Sequence, residues 1–501
     1  MKRTVCAALA IASLAAGCAP LPKPSVTPQK AVAPKRGVTA LRTDLASYYR
    51  VPAFQNAVWG VLVRSLKTGE TLFALNPDTL VMPASNMKVV TTAAAAERLG
   101  WDFTFRTTVV AAGPIEAGVL KGDLVVVGSG DPTLGGRPTG GPGIVDRWAE
   151  AIRARGITAI EGRIIGDDNA FEDEGLGSGW AWDDLAYGYS TPVGGLDFSE
   201  NTVTLAFHPG AAVGDPVTID ARPDGSRLQV ASAVKTIAGD GQLDVDLRRL
   251  PGSLHLDVTG SVPIGRMDAT QTVSVDNPTD FMVSALRQAL INQGIRVSGD
   301  AVDVDSLPAP PDLTSAETLV AYTSPPLAEI GKVLLKVSQN LYADTLLKAM
   351  GRPAAGGPAT ARDGRKAVQD VLQAWGIAPD RYVQADGSGL SRYNYLNADV
   401  LVAVLTRMYR DERHRMPFTD ALPVAGVDGT LAGRMKGTKA QGNARAKTGS
   451  IANTRSLSGF VTSADGEPLV FSMIAGNFNA PAADAVAIID RAVVRLAEFR
   501  R

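Results

Sequence analysis

Three short motifs place residues able to activate a serine on widely separated parts of the chain. They are Ser85-Asn86-Met87-Lys88, Ser338-Gln339-Asn340 and Lys447-Thr448-Gly449-Ser450. A serine hydroxyl is a poor nucleophile until a neighbouring base takes its proton. If Ser85 opens a helix, Lys88 lies one turn on along the same face, and its amine reaches the hydroxyl. Burial and the nearby cation of Lys447 are expected to pull the Lys88 pKa down towards that of a working base. The helix N-terminus at Ser85 offers backbone N–H groups to an oxyanion, and the N–H of Ser450 is a second donor. A strand carrying Lys447 and Thr448 is suited to pair with an extended peptide and hold its terminal carboxylate. Ser338 is expected to relay a proton to a leaving amine, and Asn340 to orient Lys88 and the substrate amide. The chemistry this set implies is covalent acyl transfer on Ser85.

Each motif alone is weak, and this chain repeats all three: Ser232 to Lys235, Ser199 to Asn201, and Lys67 to Gly69. Local structure separates the two sets. Ser232 lies in a strand-like region, where residues three apart point to opposite faces. Ser199 leads into the strand-like Thr202 to Ala206, and Lys67 is a hairpin turn ahead of every candidate nucleophile. Other chemistries fail on single positions. Gly128-Ser129-Gly130 follows a strand-like run but continues with Pro132 and Thr133, so it is no dinucleotide turn. Gly442 to Thr448 has Ala446 where a phosphate loop needs glycine. The three histidines, His208, His255 and His414, show no metal-ligand spacing, and no Gly-x-Ser-x-Gly elbow exists. No metal and no cofactor are expected, and a serine enzyme here must use lysine as its base. The six Trp and ten Tyr form no recognisable binding stripe.

The elements that would position these residues lie at both ends of the chain. Ala57 to Leu75 reads as a hairpin around Lys67-Thr68-Gly69, and a helix follows from about Ala84, with Pro83 ahead and Gly100 behind. Residues 104–275 are strand-rich. Residues 279–294 carry a helical period, and a helical block is predicted over Pro326 to Met350. Leu457 to Ser463 and Leu469 to Gly476 read as a hairpin around Asp465-Gly466, and Ala482 to Phe499 as a closing helix. The fold class expected is α/β (α+β): an antiparallel sheet flanked by helices, interrupted by β-rich insertions.

The 501 residues suggest about three domains. A net charge of −1 gives no pull towards nucleic acid. Residues 1–17 read as an export signal, with Lys2 and Arg3 ahead of an apolar run from Val5 to Ala16. Its end, Leu14-Ala15-Ala16-Gly17-Cys18, resembles a bacterial lipoprotein signal cut before Cys18, with Ala15 where Leu is usual. The alternative is an ordinary signal with an incidental cysteine. The cysteines are Cys6 and Cys18, so cleavage would leave one thiol, and lipidation of Cys18 would anchor the chain to a membrane. Residues 18–38, with five prolines, read as a semi-rigid tether.

Longer stretches carry a resemblance: PASNMKVVTTAAA (83–95), GDLVVVGSGDPTL (122–134), GWAWDDLAYGYSTPVGGLDFSENTV (179–203), SQNLYADTLL (338–347), ADGSGLSRYN (385–394) and GNARAKTGSIANTRSLSGFV (442–461). They resemble the D-alanyl-D-alanine carboxypeptidase/endopeptidase family of class C low-molecular-mass penicillin-binding proteins. The resemblance implies a transpeptidase/β-lactamase-like catalytic domain over 39–103 and 323–501. It implies two inserted domains, one over 104–192 and 272–322 and the other over 193–271. It further implies a periplasmic, cell-envelope enzyme whose partners are peptidoglycan stem peptides and β-lactam antibiotics. It would cleave D-Ala-D-Ala ends and often crosslinks. By motif position Asp184, rather than Asp183, would receive the free ammonium of a diaminopimelate side chain; a turn or cap carboxylate is the alternative. Ser450 stands where Thr is common. Asp131 and Pro132 are expected in a turn, and Asp386 and Ser388 in loop architecture beside the cleft. A β-lactamase or esterase on the same motifs would need a deacylating carboxylate, and none is evident. A non-catalytic peptidoglycan-binding lipoprotein would not need Ser85, Lys88, Ser338, Asn340 and Lys447 all intact.

Overall fold

The computed structural model describes residues 37–136 and 143–501. The expected signal, Cys18 and most of the tether lie outside the described residues.

The start and end of the described chain meet in one antiparallel sheet. Its strand order is Arg445–Ile451, Thr454–Thr462, Pro468–Gly476, Val58–Ser65, Thr71–Leu75. Successive side chains of a strand point to opposite faces, and here both faces are buried. Val61, Val63, Phe471 and Met473 face helices Val38–Tyr48 and Ala482–Ala497, which supply Leu41, Leu45, Ile489 and Leu496. Leu62, Val470 and Ile474 face a second helical layer, which includes Met87–Leu99, Leu327–Lys336, Asn340–Met350 and Ala398–Arg410. Register is fixed by pairs such as Val63 with Phe471 and Val61 with Met473. A one-residue slip would exchange the two faces throughout.

Helix Met87–Leu99 is buried on every side from Met87 to Ala96, as its apolar and small residues require. It begins with a 3-10 turn at Ala84–Asn86 and ends at Gly100, whose φ of 81° suits glycine. The single helical block expected from Pro326 to Met350 is two helices. Leu327–Lys336 ends first, Ser338 takes φ 65°, and a new helix starts at Asn340. Apolar periodicity runs through this break, so it does not reveal a residue in left-handed backbone.

Between the two ends, a five-stranded sheet orders Ala301–Asp303, Ile164–Asp167, Asp123–Val127, Arg106–Ala112 and Glu317–Thr323. Helices Ile144–Ala154 and Pro278–Asn292 pack on it through Trp148, Ile152, Phe281 and Leu286. Smaller sheets follow: Thr202–His208 with Thr218–Arg222 and Thr270–Ser274, and His255–Pro263 with its three neighbours. No helix among the described residues is long and apolar enough to cross a membrane.

Candidate active site

Ser85 sits half-buried in the turn that opens the Met87–Leu99 helix, and Lys88 follows inside its first turn with no exposed surface. The Lys88 Nζ donates to Ser85 Oγ at 3.0 Å, to Asn340 Oδ1 at 2.5 Å and to the Ser388 carbonyl at 2.7 Å. Burial pulls the Lys88 pKa down to about 8, against the opposing fields of Asp344 and Asp386. The repulsion expected between the two amines is mutual, and it bears chiefly on Lys447. Lys447 is itself fully buried and held well below the ordinary lysine range, first by burial and then by Lys88.

Lys447 and Thr448 lie on the edge strand Arg445–Ile451. The Lys447 Nζ donates to Ser338 Oγ at 2.8 Å and to the Thr448 carbonyl at 2.7 Å. The break between the two helices turns Ser338 towards this amine, at the cost of the strained backbone noted above. Thr448 Oγ1 bonds Thr430 Oγ1 at 2.8 Å, and Ser450 is exposed further along the same strand.

A latch joins this strand to the nucleophile turn. Buried Asn86 donates to Ser456 Oγ at 2.5 Å and to the Lys447 carbonyl at 3.3 Å, and Ser456 donates to the Pro83 carbonyl at 2.8 Å. The two backbones approach so closely that a Cβ on Gly449 would lie 2.1 Å from Ser456 Oγ and 2.8 Å from the Pro83 oxygen. The glycine of the Lys-Thr-Gly motif is therefore a steric requirement.

The segment 385–394 closes the opposite side. Asp386 is buried and accepts from the backbone N–H of Gly389 and Ser391, from Asn394 and from Trp180 Nε1 at 2.9 Å. It is thus a scaffold for the loop whose Ser388 carbonyl holds Lys88. Asn340 also reaches outward, its Nδ2 donating to the Tyr189 carbonyl at 2.7 Å. The Tyr189 hydroxyl donates to Asp184 Oδ1 at 2.7 Å, while Asp183 is exposed. Tyr187 and Tyr189 stack at 5.5 Å and, with Trp182, Asp183, Asp184, Asp246, Arg248 and Arg249, line a cavity of about 420 Å³. Aromatic rings do gather here, although no stripe is visible in the sequence.

The second motif set stays scattered. Ser232 and Lys235 end and begin different strands, Ser199 to Asn201 is a 3-10 turn, and Lys67 is in the first hairpin. Asp131 is buried in a turn, accepting from Thr133 N and Oγ1. Glu97, Asp411 and His414 come close enough to share a cation, but Arg413 bonds both carboxylates.

The model of the D-Ala-D-Ala carboxypeptidase 3 (S13) family matches residues 41–499. The chain belongs to this family. It is 34 % identical over 473 residues to a D-alanyl-D-alanine carboxypeptidase of an Actinomadura species, across 92 % of this chain and 85 % of that one. It is 29 % identical over 418 residues to the carboxypeptidase DacB of Haemophilus influenzae, across 82 % of this chain and 84 % of the relative. The crystal structure of penicillin-binding protein 4 (DacB) from the same organism superposes with TM-score 0.78 at 26 % identity, covering 91 % of this chain and 99 % of that one. A second structure of that protein, with a β-lactam bound, superposes with TM-score 0.72.

In this member of the S13 family, sequence reasoning missed three groups at the site. Asn86 lies inside the first motif, but its role needs Ser456, which is 370 positions away. The Ser388 carbonyl is a backbone group, and its residue type carries no sign of it. Tyr189 acts through its carbonyl on Asn340 and its hydroxyl on Asp184; its spacing from Asp184 was the one available signal.

Proposed function

We propose that Ser85 is the acylated nucleophile of a serine-type D-Ala-D-Ala carboxypeptidase that also acts as a DD-endopeptidase on peptidoglycan stem peptides. The observation that carries this reading is the buried amine of Lys88, 3.0 Å from Ser85 Oγ and held at a pKa of about 8. Neutral Lys88 takes the Ser85 proton as Oγ attacks the carbonyl carbon of the penultimate D-Ala. Backbone N–H groups of Ser85 and Ser450 receive the oxyanion. Lys447 and Thr448 bind the terminal carboxylate along the edge strand. As the tetrahedral intermediate collapses, Ser338 gives its proton to the leaving amine and regains one from Lys447, which is replenished with the proton that Lys88 took from Ser85, so that Lys88 is neutral again. D-Ala departs, and water hydrolyses the acyl-Ser85 ester with Lys88 again as base. In crosslinked strands the leaving amine belongs to a neighbouring stem.

A β-lactam follows the same first step, but its leaving amine stays tethered to the acyl group and slows the entry of water. Asp184, with Asp183 at the rim of the same cavity, receives the side-chain ammonium of the stem peptide. The aromatic walls and three carboxylates of that cavity, set against the two guanidinium groups of Arg248 and Arg249, leave a net negative lining that supports a cationic ligand. Membership of the family supports a location in the cell envelope, where a lipid on Cys18 would tether the chain.

The test is product analysis with purified pentapeptide and crosslinked muropeptides, wild type beside Ser85→Ala. Loss of both D-Ala release and fluorescent-penicillin labelling is expected in the variant. Labelling that persists on Ser85→Ala contradicts the assignment, and rapid antibiotic turnover by the wild type favours a β-lactamase.

A further inference from the structure

We infer that Asp344 is a positioning residue for Lys88, acting through the Gly387–Ser388 backbone. The inference rests on the reading of Ser85 and Lys88 above. Asp344 lies one helical turn beyond Asn340, on the same face of the helix that begins there. Only 6 % of it is exposed. Its Oδ1 accepts from Gly387 N at 2.6 Å and from Ser388 N at 3.2 Å. On the far side of that residue, the Ser388 carbonyl accepts from Lys88 Nζ at 2.7 Å. The Gly387 carbonyl is held in turn by Thr91 Oγ1 at 2.7 Å, from the helix that carries Lys88. The loop carbonyl that aims the amine is therefore clamped from two helices, and the carboxylate is one jaw. The approach is close enough that a Cβ on Gly387 would lie 2.5 Å from the Ala343 oxygen.

The second oxygen, Asp344 Oδ2, is buried without a hydrogen-bond partner among the described residues. A buried carboxylate left half-satisfied is costly, and its remaining role is as a charge. The charged groups around it are Lys88 from the nucleophile helix, Asp386 from the loop, and Lys348 one turn along its own helix. Glu172, Glu174, Arg362, Asp363 and Arg365 line the cavity behind it with Asp386 and Lys348, and the charge of Lys88 is felt in turn by Lys447. Among these, the Asp344 carboxylate favours the ammonium form of Lys88 and holds it against burial. Burial, then Asp386, pushes Asp344 itself up to about 7. Lys88 and Asp344 thus titrate as neighbours in one closed compartment.

The test is the pH dependence of acylation by a fluorescent penicillin, on the full chain, for wild type, Asp344→Asn, Asp344→Ala and Ser85→Ala. Asparagine keeps an acceptor for the two N–H groups and removes the charge. Neutral Lys88 is the base, so loss of that charge is expected to move the acid limb down by about 1 pH unit. Alanine removes the clamp as well, and its plateau rate is expected to fall about 10–100-fold. A folded Asp344→Ala with the wild-type plateau rate overturns the inference, and a folded Asp344→Asn with the wild-type acid limb overturns the role given to its charge. If neither variant folds, the carboxyl carbon shift of Asp344 in the wild type decides. Its titration should carry a second inflection at the pH where Lys88 titrates, and a single inflection with no trace of Lys88 overturns the proposal. Labelling of Ser85→Ala would instead overturn the nucleophile assignment, so the two failures are distinct.

Discussion

Lys88 and Lys447 place two amines where water cannot solvate their charge, and burial acts on both before any neighbour does. A lysine whose ammonium is disfavoured is available as a base near neutrality, which a surface lysine is not. The sign of the resulting pH dependence follows. The reactive form of Lys88 is the neutral one, so acylation should climb as pH rises and level off above about 8. Stopped-flow or gel-based labelling across that range checks it; a rate that falls as pH rises through the same window contradicts it. The lysine types and their order are legible in the sequence. That each sits at zero exposure is not, because burial is supplied by residues hundreds of positions away.

The elements matter through how closely they approach one another. The strand carrying Lys447 and the turn carrying Ser85 touch backbone to backbone at Gly449, held by Asn86 and Ser456. Gly449→Ala should force the two apart, destabilising the fold by about 1–3 kcal/mol. It should slow penicillin acylation far more than that loss alone explains, since the strand would move off Ser85. Thermal unfolding and labelling rates measured together check this; normal labelling would show that the contact is slack. The hairpins and most helices follow from period and punctuation in the sequence. The break at Ser338 does not, because Leu334, Leu341 and their neighbours keep a helical period across it and only the φ of 65° reports the change.

At the scale of the molecule, a long irregular segment from the middle of the chain is drawn onto the catalytic helices. Buried Lys348 donates to the carbonyls of Glu174 at 2.7 Å, Val193 at 3.1 Å and Glu172 at 3.2 Å, tying this segment to the helix that starts at Asn340. Trp180, Asp184 and Tyr189 lie within the span it holds. Lys348→Met keeps the stem but strands those three acceptors, and should cost about 2–5 kcal/mol. Proteolysis should then begin between residues 172 and 193, with D-Ala release from diaminopimelate-bearing peptides falling before penicillin labelling does. A uniform loss of both would mean that the segment and the catalytic helices unfold as one unit. The β-rich character of the middle of the chain is visible in its composition. Its attachment to the site is not, because it runs through one lysine and three carbonyl oxygens, and a carbonyl looks the same in every residue.

The central claim is that Ser85 becomes the acyl carrier. Peptide mapping by mass spectrometry after brief exposure to benzylpenicillin tests it most directly. The account expects one penicilloyl group, on the fragment containing Ser85 and absent from Ser338 and Ser450. An adduct on any other residue, or none on a folded protein, would contradict it.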